Sequence, residues 1–432
     1  MTNSTGHEEG AKPSAVKRVV IVGGGFGGVY TARALCSLAS QGALEVTLVS
    51  SRNYFLFTPL LHEVATGGLS PESVAEPLRE YFRDRGVSIV EDTVTRVDTA
   101  LSVVCGKQGT YPYDYLVLST GAVTNYFSIP GAQEHTIALK DLTDAMTIRR
   151  GIIVAFEKAA ATRDREERKK ILSFIVVGAG ATGVELATEM AAFVRGTLAH
   201  YYCGAGIQCE DISVKLISTT DSVLTPFHPT VQTVALRTLS KLGVILVKNA
   251  RVVSVQKEGV TVDSGAVLSA TMVVWAAGVS AHLPAHMPDF KLNRTSRVVV
   301  DENLRVPTHS NIFVIGDAAA AFGSGGEEYP LLAQIAVRQA VSVAGTIKAI
   351  ISGKNLVPFR YTLQGKLVSL GQWMAAGEIR GIPFSGPHIW WLWRTVYLFT
   401  FLSWRKRFRI AMEWTINLLY PRDITKLDSS VR

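Results

Sequence analysis

The sequence predicts an α/β fold of two βαβ units, the second inserted into the first, followed by a helical C-terminal region suited to a membrane surface. Three observations carry this expectation. A glycine-rich turn joins an apolar run to a helix-forming stretch at Val22–Gly28, and the same arrangement recurs at Val177–Gly183. From Gly386 onward the chain is both basic and rich in tryptophan. At 432 residues, 47% hydrophobic and 19% charged, it is long enough for two or three domains with a large core.

Met1 to Val16 is polar, with no apolar core and no arginine-rich amphipathic pattern, and reads as a disordered lead-in without an export signal. Arg18–Val22 is an apolar run of buried parallel-strand type, Val29–Ser40 continues in helix formers, and Glu45–Ser50 is the next strand. Between the first two lie Gly23, Gly25 and Gly28, in the pattern G-x-G-x-x-G. There glycine permits a tight turn and lets a pyrophosphate approach a helix N-terminus, so the unit reads as a Rossmann-like dinucleotide site. The ribose of such a ligand usually meets Asp or Glu at the end of the second strand. Here that residue is Ser50, whose hydroxyl can take the same bond.

Ser70-Pro71-Glu72 spells a helix start and predicts a helix from Pro71 to about Arg85. Val87–Val97 and Tyr115–Leu118 read as strands, the second closed by Thr120-Gly121. Asp141–Lys170 is helical by composition and ends in the charge run Arg163–Lys170, a solvated face that marks a domain boundary. Phe174–Val177 then restarts the pattern with Gly178, Gly180 and Gly183, 155 positions after Gly23, and Ser213–Ser218 supplies the following strand.

Two fingerprints in one chain are far less expected by chance than one, and the second nucleotide reads as a reductant, NADH or NADPH. Ser218 stands in the ribose position. With no carboxylate to repel a 2′-phosphate and no arginine to bind it, the choice between the two stays open. Glu185, placed in the first helical turn, serves either the helix dipole or a redox site. Asn311–Ile315 is a further buried strand ending in Gly316-Asp317, where a carboxylate can accept hydrogen bonds from ribityl hydroxyls, and a helix follows from Leu332 to Ile351. The domains are therefore 17–138 with 288–355, an inserted 139–287, and a C-terminal region 356–432.

The four cysteines show neither a redox-dithiol nor a zinc-ribbon spacing and read as incidental thiols of a reducing compartment, with no metal site. From Gly386 there are eight Lys/Arg against three acids, and five of the seven tryptophans. That is the composition of a membrane interface, and no nucleic-acid-binding motif accompanies the charge. His388–Ser403 is apolar but shorter than the ~20 residues of a membrane span, and Arg394 interrupts it. Phe408, Ala411, Met412, Thr415, Leu418 and Leu419 recur at helical spacing until Pro421. Two helices lying in the membrane surface fit best, the basic residues in or beside them each adding up to ~1 kcal/mol against anionic lipid. A buried subdomain or a homodimer interface is the alternative.

From about Lys17 to Leu427 the chain resembles the type II, single-subunit NADH:quinone oxidoreductases. The resemblance rests on Tyr54–Gly67, Asn125–Gly131, the paired fingerprints, Val314–Ala318 and Ala333–Ala336. It implies FAD on Gly23, Gly25, Phe26, Gly27, Gly28, Ser50, Arg52, Thr58, Val94, Thr120, Gly121, Gly316 and Asp317. It implies NADH or NADPH on Gly178, Gly180, Thr182, Gly183, Glu185, Ser218 and Gly278. A quinone channel follows from Gln334, Ala336, Arg338 and Gln339, although the family's Ala-Gln-x-Ala-x-Gln ends here in Arg338 rather than Gln.

The implied reaction passes a hydride from the nicotinamide to FAD and two electrons on to a membrane quinone, without proton pumping. Glu185 and water near Gln334 are the implied proton sources. The implied setting is the cytoplasmic face of the cell inner membrane, as a peripheral protein. Two rivals differ in kind. A sulfide:quinone oxidoreductase needs catalytic cysteines near its flavin; a nucleotide-sensing, membrane-docking protein would show little turnover.

Overall fold

The structure, a computed structural model, describes Val16–Lys426, so the lead-in expected over Met1–Val16 lies outside the described residues except for Val16 itself. Contacts divide the chain into two compact units. One comprises the chain up to Asn53, Leu78–Gly121 and His282–Arg360; the other comprises Tyr54–Pro77, Ala122–Ala281 and the chain from Tyr361 on.

In the first unit Lys17–Val22 is flanked by parallel strands Leu44–Ser50 and Tyr115–Leu118. Val87–Glu91 extends the sheet on one side and His309–Val314 on the other, both parallel, and Arg305–Val306 closes it antiparallel. Val19–Val22 and Leu116–Leu118 are buried on both faces, which is why they read as unbroken apolar runs. Helix Phe26–Ser40 packs on helix Ala333–Ile351, whose buried side repeats through Ile335, Ala336, Gln339, Ala340, Val343, Ala344 and Ile347. Lys348 Nζ ties the pair by donating to the Ala34 carbonyl at 2.7 Å.

The second unit repeats this architecture with five parallel strands in the order Ile137–Ala138, Met272–Trp275, Ser173–Val177, Ser213–Ile217, Val244–Val247. A three-stranded antiparallel sheet over residues 365–386 leads into two helices, Pro387–Thr400 and Trp404–Leu419. No helix among the described residues is long and apolar enough to cross a membrane.

The turn between those two helices is held from a distant segment. The Glu76 carboxylate accepts from the Leu402 and Ser403 amides at 2.9 and 2.7 Å, fixing the chain just before helix Trp404–Leu419. On the next helix Glu413 accepts from the Ser70 amide and from the Ser70 and Ser73 hydroxyls.

Several expectations are corrected. The helix expected from Pro71 to Arg85 is a single 3-10 turn, Pro71–Ser73, followed by strand Ala75–Pro77 and a short helix Leu78–Tyr81. Pro77 favours extended backbone before it, and Ala75–Pro77 pairs antiparallel with Tyr54–Leu56. Val87–Val97 is two strands, Val87–Glu91 and Val94–Asp98, parted at Asp92, whose carboxylate gathers the Thr93, Lys107 and Gln108 amides and the Tyr111 hydroxyl.

The Asp141–Lys170 helix is also two, Leu142–Ala161 behind an Asp141–Asp144 capping box and Arg165–Ile171 capped by Asp164. Glu185 lies beyond the first turn of helix Ala181–Ala192, whose first turn holds no acid. Finally, Arg394 and Arg422, counted among the lipid-facing cations, turn inward instead. Buried carboxylates draw both.

Candidate functional site

The two glycine turns have the same geometry. Gly23 (φ +111°) and Gly178 (φ +107°) sit in backbone that side chains rarely adopt. A Cβ on Gly28 would lie 1.8 Å from the Gly23 carbonyl oxygen, and one on Gly183 would lie 1.8 Å from that of Gly178. The amides of Gly23 and Gly178 donate to the Val49 and Ile217 carbonyls of the neighbouring parallel strands at 2.8 and 3.0 Å. By contrast a Cβ on Gly25 or Gly180 meets nothing within 4 Å. Both are N-caps without a side-chain cap, so each helix start faces open space, the form of an anion cradle.

Around the first cradle, Ser50 is buried, and its Oγ accepts from the Arg52 amide at 3.2 Å. Thr120 Oγ1 is buried without a partner and a Cβ on Gly121 (φ +74°) would meet open space, so both fit a ligand lying across that strand end. Val94 lies half-buried in the same unit, whereas Thr58 belongs to the other unit and is exposed. Within the first unit a small cleft brings Gly316 and Asp317 together with Ala336 and Gln339. Residues expected for flavin and for quinone therefore share one wall.

Gln339 is buried and its Oε1 accepts from the Gly316 amide at 2.7 Å, so it holds the turn that presents Asp317. Gln334 is half-buried at the helix start, and Arg338 is exposed; neither lines the cleft. Arg297 and Tyr329 do line it and were missed, because they lie on irregular segments without a motif. Arg297 pairs with Glu328 at 2.7 Å.

Around the second cradle, Ser218 donates to the Ser222 carbonyl at 2.7 Å and accepts from the Thr220 amide, bracing its own loop. Thr182 opens the helix beside Gly183. Gly278 (φ +77°) allows Phe127 to pass, since a Cβ there would lie 2.3 Å from the ring.

Glu185 and Glu189 project from one face of the same helix into a buried charged cluster. Glu185 Oε1 accepts from the Ser369 amide at 3.1 Å, and Oε2 lies 3.8 Å from His62 Nδ1. Glu189 is paired with Arg422, which also donates to Thr66. Glu63 Oε2 accepts from Trp414 Nε1 at 2.7 Å. Arg394 stacks over Trp390 at 3.6 Å and Trp414 at 4.7 Å.

Burial dominates the electrostatics. It pushes Glu185 up to about 8, and Glu63 up to about 7 against the opposing pull of Arg394. Burial pushes His62 down to about 4. Burial works to raise Glu189 too, but Arg422 overcomes it and holds that carboxyl below its ordinary value. At neutral pH the His62–Glu185 contact thus joins two neutral groups, a carboxylic acid and an imidazole. Glu185 also lies beyond the first turn of its helix, outside the reach over which the helix dipole acts most strongly. Of this cluster, sequence reasoning found Glu185 alone. The i, i+4 spacing of Glu185 and Glu189 was the available signal.

The pyridine nucleotide-disulphide oxidoreductase family matches residues 17–340, and the NDH2 C-terminal domain matches residues 363–423. The type II NADH:quinone oxidoreductase Ndh of Mycobacterium tuberculosis is 34% identical over 96% of this chain and 91% of its own length. The type II NADH:quinone oxidoreductase of Staphylococcus aureus is 30% identical over 86% and 91%. The solved structure of NDH2 from Plasmodium falciparum in complex with NADH has a TM-score of 0.87 at 22% identity, covering 95% of this chain and all of that one. The sulfide:quinone oxidoreductase of Aquifex aeolicus shares the fold at a TM-score of 0.70 and 19% identity, over 94% and 96%.

Proposed function

Because the chain belongs to the type II NADH:quinone oxidoreductases, we propose that it oxidises NADH with FAD as resident cofactor and reduces a membrane quinone without pumping protons. The observation that carries this reading is the duplicated cradle, with open space at both Gly25 and Gly180. Two dinucleotides need two such cradles, one for a resident flavin and one for an exchanging nicotinamide.

The first unit fits FAD through the Gly23–Gly28 turn for the pyrophosphate, Ser50 for the ribose, Thr120 at the strand end, and Asp317 for the ribityl chain. When bound, FAD accepts a hydride from the nicotinamide and returns two electrons to the quinone. The chain's own residues do the rest. Gly178–Gly183 positions the nucleotide, Gln339 braces the Gly316 turn, Gln334 and Ala336 start the helix on the quinone side, and Glu185 holds a proton for the quinol. Cys203 and Cys209, the cysteines a sulfide oxidoreductase would have to use, are exposed free thiols in the nicotinamide unit.

The membrane is met through the last two helices. Trp391, Val396 and Phe399 on one, and Trp404, Phe408, Met412, Ile416 and Leu419 on the other, are exposed at helical spacing, with Arg405 beside them. Stripes of that width suit insertion into one leaflet. On this reading the protein lies on the cytoplasmic face of the inner membrane, where NADH is supplied. The deciding experiment follows oxidation of NADH and NADPH in parallel by a short-chain quinone. Rapid NADH oxidation with flavin reoxidation is expected. Flavin bleaching by NADH without reoxidation would instead leave the nucleotide-sensing reading.

A further inference from the structure

Each turnover converts NADH, a quinone and one proton into NAD⁺ and quinol, so a proton must be replaced from solvent every time. On the quinone-reductase reading Glu185 holds such a proton; it is buried, and its surroundings decide how it is refilled. Nε2 of the His62 ring is buried without any partner, and Nδ1 lies 3.8 Å from Glu185 Oε2. With the ring proton on Nδ1, that proton faces Glu185 while Nε2 offers an unused lone pair.

Arg394 Nε and Nη1 are likewise buried and unpartnered within the same cluster. Orphaned donors and an orphaned acceptor in a polar interior are the places where internal water resides. Glu63, next to His62 on the short helix Leu61–Ala65, and Glu189, Arg394 and Arg422 complete the charged surroundings.

We propose that His62 is a positioning residue for proton delivery, receiving a proton at Nε2 from the Glu63 side through internal water and releasing the Nδ1 proton to Glu185. The inference rests on the quinone-reductase reading of the site. In the step, the Glu63 O–H bond breaks and an Nε2–H bond forms, while the Nδ1–H bond breaks and an O–H bond forms on ionised Glu185. No electrons move. Glu63 regains its proton from solvent, and the ring returns to its starting tautomer by exchange with the same water. Glu63 is suited to this because its carboxyl ionises near neutrality. Arg394 and Arg422, facing it and Glu189, keep the cluster from accumulating negative charge.

The experiment uses the FAD-loaded enzyme and two variants. His62→Asn keeps a donor in place of Nδ1–H but has no acceptor at the Nε2 position. Glu63→Gln keeps an acceptor for Trp414 but has no acidic proton. On mixing with D₂O, the infrared band of the protonated Glu185 carboxyl, identified by its loss in Glu185→Gln, shifts as its proton exchanges. We expect that exchange to slow about tenfold or more in both variants. Quinone-driven reoxidation should slow in parallel with a larger solvent isotope effect, while bleaching by NADH keeps its rate. Unchanged exchange in His62→Asn would overturn the proposal, as would slowed exchange there with wild-type exchange in Glu63→Gln. If the unmodified enzyme is not reoxidised by quinone, the functional reading fails, and the exchange rates still judge the relay.

Discussion

His62 Nδ1 and Glu185 Oε2 stand 3.8 Å apart with both side chains buried, yet at neutral pH they form no ion pair. Burial holds the carboxyl up at about 8 and the imidazole down at about 4, so each keeps its neutral form. A contact that distance alone would class as a salt bridge is instead a neutral carboxylic acid facing a neutral imidazole.

This has a consequence for stability against pH. A carboxyl whose folded value lies above its unfolded one binds its proton more tightly in the native state, so stability is greatest below about 4.5 and declines as pH rises to about 8. His62, depressed in the native state, acts in the opposite sense, with stability lost as pH falls from 6.5 towards about 4. Glu185→Gln should therefore melt above wild type near pH 8 and show a flatter decline over that window. Thermal unfolding across pH tests it, and an unchanged slope would contradict the neutral assignment.

The glycines separate folding from binding. Gly28→Ala and Gly183→Ala place a Cβ 1.8 Å from a carbonyl oxygen and should yield little folded protein. Gly25→Ala and Gly180→Ala meet nothing within 4 Å of protein and should fold. The first is expected to purify with little flavin. The second should keep flavin but bind NADH about tenfold or more weakly, roughly 1.4 kcal/mol. Flavin absorbance and NADH titration read these outcomes.

Arg422 and Glu189 form a buried pair linking the segment after the last helix to the helix that follows the second cradle. Removing either partner alone leaves a buried charge, a loss of about 3–5 kcal/mol. Removing both should be markedly less damaging than the sum of the single changes. A double-mutant cycle by chemical denaturation measures the difference, and simple additivity would deny the pair its role.

Phe399, Phe408 and Leu419 are 66, 63 and 74% exposed, so changing all three to Ser should leave thermal stability nearly unaltered. Binding to vesicles containing anionic lipid should fall about tenfold or more, and what remains should weaken with salt. If vesicle binding persists while the molecular mass in solution halves, the stripe is a homodimer interface and not a membrane contact.

Much of the parallel-sheet framework was legible because buried strands read as apolar runs and the turns between them demand glycine at stated intervals. Gly23, Gly28, Gly178 and Gly183 could be placed without coordinates for that reason. Segment 71–85 was misread because Pro71 begins a helix on local grounds, whereas Pro77 and pairing with Tyr54–Leu56 act over a longer range. Arg394 and Arg422 were assigned to lipid because composition counts charge without direction.

The sequence by itself determined the two nucleotide cradles, their order in the chain, and the apolar, basic character of the last two helices. These follow from backbone conformation and side-chain periodicity, which are local. Only the tertiary structure decided that His62, Glu63, Glu185, Glu189, Arg394 and Arg422 share one buried cluster. Ionisation there depends on desolvation and on charges more than a hundred residues apart in the chain, and neither can be read from neighbours in sequence.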